Sequence, residues 1–155
     1  MRASANIGGH PIHPMLIPLP IGLWVFSLVA DLIYLWRGNP AWEQVAFYTL
    51  AGGCVGAALA AVFGLIDLLG VKDNRIFRTG LIHAGCNVVS LLIFAASWYL
   101  RTTSGSQMVG AGSKIPFVLS LVGVAVLGAA GWFGGELVFR YGVGVDTQAN
   151  VNAEQ

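Results

Sequence analysis

Charge is what this sequence has least of. Only 10% of its residues are Asp, Glu, Lys or Arg, against about 25% in an ordinary soluble domain. The net charge is +1, so the basic footprint of a nucleic-acid binder is missing. Cysteine is almost absent, with Cys54 and Cys86 alone. Cys54 falls near the middle of one apolar run and Cys86 early in the next. Their expected depths differ by roughly 10 Å at 1.5 Å per residue, too far for a disulfide. There is no P-loop, no CxxC and no Ser-His-Asp order, so nucleotide, dithiol and hydrolase chemistries find no support.

Apolar residues fill the space left by charge, at 56% of the chain. They gather in four runs. Met15 to Trp36 carries one charge, Asp31. Gln44 to Ile66, Thr79 to Leu100 and Ile115 to Gly135 carry no Asp, Glu, Lys or Arg. A bilayer core about 30 Å thick needs about 20 apolar residues in a helix. The chain therefore reads as an all-α integral membrane protein, an antiparallel bundle of four transmembrane helices in contact with lipid. One domain is expected over residues 1–141, with helices near 14–36, 42–70, 77–100 and 114–138. Residues 142–155 form a polar tail expected to be disordered. The connection from Arg101 to Lys114 is rich in Gly, Ser and Thr and reads as mobile. Nothing at the N-terminus looks like a cleaved secretory signal. No internal repeat is evident.

Basic residues suggest an orientation. Arg2, Lys72, Arg75, Arg78 and Arg140 fall on one side, and Arg37, Arg101 and Lys114 on the other. This bias places both termini in the cytoplasm. Small residues suggest packing. Gly52, Gly56, Ala60 and Gly64 recur every four residues, and Gly131 and Gly135 form a similar pair. Such stripes let membrane helices approach closely, within the bundle or across a homo-oligomer seam.

Topology brings polar residues from distant parts of the chain to one leaflet. His10 and His13 precede the first helix and Asp67 ends the second. His83 and Asn87 lie early in the third, and Glu136 and Arg140 end the fourth. Arg75 and Arg78 sit in the loop between the second and third. Thr79, His83, Asn87, Ser90 and Ser97 share one helical face. A polar stripe within a bilayer must face protein or water. Asp67 and Glu136 can pair with the arginines or orient the histidines. Asp31, at the other end, needs a partner such as Arg101, Tyr34 or Arg37.

The stretch "GGHPIHPMLIPLPIG" opens the first run. A residue before proline is pushed from the α region, so His10 and His13 are expected to be extended. Pro14 suits a first helical position. Pro18 and Pro20 deprive the carbonyls of Pro14 and Leu16 of their usual donors. The two imidazoles then either cap this irregular start or act as ligands.

With "FGLIDL", "HAGCN" and "GWFGGELVFRYGVGV", that stretch makes the chain resemble a bacterial membrane family, domain of unknown function 2231. The resemblance implies no established activity. It implies an inner-membrane location and, since related domains are fused to Rieske or c-type cytochrome modules, a setting near membrane electron-transfer proteins. Some relatives have histidine where Pro18 stands, and many where Tyr141 stands. Any ligand supplied from those positions is missing here.

Three functions follow as expectations. The first is a non-catalytic membrane module or accessory subunit, held in register by its polar cluster. The second is a haem b or metal-ion site using His10, His13 and His83, with Asp67 or Glu136 as possible oxygen ligands. The third is a quinone or proton-linked site, with a histidine beside a carboxylate.

Overall fold

A computed structural model describes residues 4–103 and 114–145. A two-residue hairpin comes first. Strands β1 (Asn6–Ile7) and β2 (His10–Pro11) pair antiparallel around Gly8 and Gly9. Both glycines have positive φ, 59° and 84°, as a tight primed turn requires. Helices α1 (Ile12–Leu16) and α2 (Pro18–Arg37) follow, then α3 (Pro40–Leu69), α4 (Asn74–Thr103) and α5 (Ile115–Gly135). A π-helical turn, Glu136–Arg140, extends α5.

Local chemistry fixes the ends. Gly38 closes α2 in the left-handed region, with its N–H donating to the Tyr34 carbonyl at 2.7 Å. Asn39 then caps α3 by accepting from the Ala41 N–H, and Pro40 takes the first turn where no N–H is needed. Asp73 caps α4, accepting from the N–H groups of Arg75 and Ile76. The Pro18 and Pro20 break is mild. Only Ile17 interrupts the helix, and it still donates to His13 and accepts from Ile21.

Four helical stretches are long and apolar enough to cross a membrane: Ile12–Arg37, Pro40–Leu69, Asn74–Thr103 and Ile115–Arg140. Their exposed faces carry Leu, Val, Ile and Trp, suited to lipid. The core takes one large residue from each of α2 to α5: Trp24, Leu50, Phe94 and Leu127.

The bundle is built from two copies of one hairpin, offset by 70 residues. The unit α1–α2–α3 corresponds to α4–α5, and equivalent residues make equivalent contacts. Ser27 donates to the Ala46 carbonyl at 2.9 Å, and Ser97 to the Pro116 carbonyl at 2.8 Å. Gly53 packs under the Trp24 ring, and Gly123 under the Phe94 ring. Three equivalent pairs also touch each other: His13 with His83, Trp24 with Phe94, and Asp31 with Arg101. Contact between a position and its own equivalent marks a pseudo-two-fold axis running between α2 and α4. Each unit has two spans, so the units are parallel repeats about an axis along the bundle.

This corrects the reading of an unrepeated chain. Over residues 12–64 and 82–134, nine of 53 aligned positions are identical, Ile12, His13, Ser27, Ala41, Phe47, Gly53, Ala60, Phe63 and Gly64. Of these, His13, Ser27, Gly53, Ala60 and Gly64 lie where helices touch.

Three further readings change. His13 is helical, the second residue of α1, because the preference of a pre-proline residue yields in a first turn anchored by the Ile12 N–H on the Ala5 carbonyl at 3.1 Å. Arg101 belongs to α4 and is buried rather than opening a loop. Residues 104–113, the rest of that connection, lie outside the described residues. So does the tail from 146, while Val143 donates to the Leu137 carbonyl and Gly144 packs against Pro11.

Candidate functional site

The histidine end is built by the repeat. In each unit a histidine early in the first long span crosses to the second span and meets a backbone carbonyl. His13 Nδ1 lies 2.8 Å from the Ala60 oxygen, and His83 Nδ1 lies 2.9 Å from the Ala130 oxygen. One turn further along, Gly64 and Gly134 give each ring its room. A Cβ at either position would come within about 3 Å of the imidazole. The ring centres are 6.2 Å apart and the planes nearly perpendicular, at 87°. Both rings are half-buried.

The carbonyls settle the tautomers. A carbonyl oxygen can only accept, so Nδ1 carries the proton in each ring. A neutral imidazole then keeps its lone pair on Nε2. Asn87, one turn along α4, brings its Nδ2 to 3.1 Å from His83 Nε2 and donates to the His83 carbonyl at 2.9 Å. His13 Nε2 has no hydrogen-bond partner among the described residues. The site therefore offers two imidazoles, related by the pseudo-two-fold axis, each braced from behind by a backbone acceptor and, when neutral, with its lone pair on Nε2. That bracing is the usual arrangement of a ligating histidine.

The other expected members stand apart from this pair. His10 is exposed on β2, its Nδ1 3.2 Å from the Gly8 carbonyl oxygen. Asp67 accepts from the Ala5 N–H at 2.8 Å, tying the N-terminal hairpin to the end of α3. Glu136 pairs with Arg140 at 3.1 Å, one turn apart in an exposed setting. Arg75 and Arg78 are exposed and form no ion pair among the described residues. Neither imidazole of the pair bonds a carboxylate, and no group of three His, Cys, Asp or Glu suited to a metal ion occurs among the described residues.

The small-residue stripes also resolve. Gly52 faces Leu23, Gly56 faces Leu19 and Pro20, and Gly64 faces His13, so that stripe packs within its own hairpin. In α5 the phase differs from expectation. Gly131 meets nothing within 4 Å and Gly135 meets only Phe139 of its own helical end. The contact positions are Gly123, Ala130 and Gly134, equivalents of Gly53, Ala60 and Gly64. Both cysteines are free.

A second polar cluster occupies the opposite end. Arg101 makes a bidentate pair with Asp31, at 2.8 and 2.6 Å, with both side chains fully buried. Ser97, Ser120 and the Pro116 carbonyl continue the network. Glu43, which the sequence pattern did not single out, is 2% exposed beside it. It opens the second span just past Trp42, where a carboxylate reads as interfacial.

Compared with known proteins, the family described as "Predicted membrane protein (DUF2231)" matches residues 9–147. No curated protein and no solved structure matches the chain.

Proposed function

The chain belongs to the DUF2231 family of predicted membrane proteins, and from that premise we propose that it is a non-catalytic membrane module that holds a haem iron between His13 and His83. The 6.2 Å separation of the two imidazoles carries this reading. Two imidazoles paired across the pseudo-two-fold axis, each braced at Nδ1, are the residues that would hold such a centre through Nε2. The Nδ1–carbonyl bonds supply the bracing in both rings and leave Nε2 of His13 available.

The donor count favours haem over a bare ion. Two protein nitrogens leave most of a metal's coordination unfilled, and no third His, Cys, Asp or Glu joins them among the described residues. A haem, which carries most of its iron's ligands itself, would need no more than His13 and His83 from the protein. Such a group would supply one-electron chemistry, matching the electron-transfer setting that the family resemblance implies. Asn87 must release His83 Nε2 for ligation. Lys72, Arg75 and Arg78 lie at the same end of the chain's topology and would offer positive charge to acidic groups on the ligand. They also favour a cytoplasmic position for this end. The quinone alternative is less supported, because neither ring has a carboxylate partner.

Protein purified from membranes in mild detergent tests the reading. A reduced-minus-oxidised Soret difference with one haem per chain is expected. A stoichiometric transition metal without a Soret band would replace haem by an ion. Neither signal, after growth with added haem, would leave the pair as helix staples only.

A further inference from the structure

The Asp31–Arg101 pair leaves a charge unaccounted for. The cluster contains one guanidinium and two carboxyl groups, Asp31 and Glu43. Asp31 takes both terminal nitrogens of Arg101. Glu43 lies on the first turn of α3, 98% buried by its 2% exposure. Arg101 and Asp31 are close enough to act on it electrostatically, yet among the described residues its Oε1 has no hydrogen-bond partner. Arg101 Nε likewise has no partner among the described residues.

The other ionisable groups at this end do not compensate. Arg37 on α2 is exposed, with its guanidinium 4.8 Å over the Trp36 ring. Lys114, ahead of α5, is exposed. An ionised Glu43 would put a net negative charge inside the bundle, with one oxygen unsolvated and a second carboxylate nearby. The start of α3 favours an anion only weakly, and desolvation opposes it much more strongly. A protonated carboxyl removes the charge and turns an orphan acceptor into a neutral group that is far less costly to bury.

We propose that Glu43 is a proton-binding site of the membrane domain, separate from the histidine pair and independent of what that pair binds. The proton resides on the Glu43 carboxyl and exchanges with water at the turn between α2 and α3. A cavity of about 420 Å³ opens at that turn, lined by Ile33, Trp36, Arg37, Asn39 and Trp42, and Glu43 follows Trp42 directly. The two clusters therefore divide the molecule, with the paired imidazoles at one end and an exchangeable carboxyl proton at the other.

Infrared spectroscopy of the full chain with carboxyl-¹³C glutamate tests this. The chain has three glutamates, Glu43, Glu136 and Glu154. At neutral pH a protonated-carboxyl C=O band is expected that moves with the label, shifts in ²H₂O and vanishes in Glu43→Gln. In a Glu136→Gln, Glu154→Gln chain, where Glu43 is the sole glutamate, the band should remain in full. This arm does not need the Glu43 variant to fold. Labelled intensity found only at carboxylate frequencies would overturn the proposal. So would a protonated band that survives Glu43→Gln, or one that appears only when sodium is replaced by choline, which would mark a cation site.

Discussion

Asp31 and Arg101 occupy equivalent places in the two hairpins, so each stands where a two-fold rotation would put the other. Neither charge could be buried alone. Removing one partner of a buried pair typically costs about 3–5 kcal/mol, and Arg101→Ala should lower the thermal unfolding midpoint in detergent accordingly. The exchanged variant, Asp31→Arg with Arg101→Asp, should recover most of that loss because the positions are equivalent. The histidines behave differently. A polar contact between membrane helices contributes about 0.6 kcal/mol on average, so in haem-free protein His13→Ala and His83→Ala should each unfold within a few degrees of the wild type. At this scale the sequence was partly legible. A lone Asp in an apolar run announces that it needs a partner, and Arg101 was among those named. Glu43 was not, because burial near a helix start depends on what packs over it. His10 stands apart for the opposite reason. Its neighbours resemble those of His13, but the Gly8–Gly9 turn carries it outward.

The helices show where periodicity informs and where it misleads. A four-residue spacing of small side chains in α3 marked the packed face, because Gly52, Gly56 and Gly64 all meet the preceding helix. In α5 glycines are so frequent that spacing alone selects the wrong set. Gly131 and Gly135 fit the pattern, yet Gly134 faces the His83 ring. The two choices are separable by substitution. Gly134→Leu should displace His83 and lower stability by about 1–3 kcal/mol through overpacking. Gly131→Leu, pointing into open space, should change stability by less than about 0.5 kcal/mol. Guanidinium or thermal unfolding in detergent, with the His83 imidazole followed by NMR, distinguishes them. The proline-rich start of the first span has the sequence of an irregular collar. It proves nearly continuous, since each proline removes only one donor and Ile17 keeps both of its own bonds.

At the scale of the molecule, duplication explains why the functional candidates lie where they do. Residues on a pseudo-two-fold axis meet their own equivalents, and His13 with His83, Trp24 with Phe94 and Asp31 with Arg101 are such meetings. The four-span fold was legible because apolar run length is a bulk property. The repeat was not, because nine shared positions in 53 are hard to see until contacts identify them. The unlike charges on the axis also set the assembly. Two N-terminal hairpins would place Asp31 against Asp31, and two C-terminal hairpins Arg101 against Arg101. A chain cut within 104–113 and produced as two pieces should therefore reassemble as one N-terminal with one C-terminal hairpin, seen by co-purification through a tag on either piece. The central claim is the ligating histidine pair on this axis. Haem content per folded chain, measured by reduced-minus-oxidised spectra on wild type, His10→Ala, His13→Ala and His83→Ala, tests it most directly. The prediction is one haem in wild type and His10→Ala, with loss or a changed Soret position in both other variants. Full haem retention in folded His13→Ala and His83→Ala, or no haem in any of the four, would contradict it.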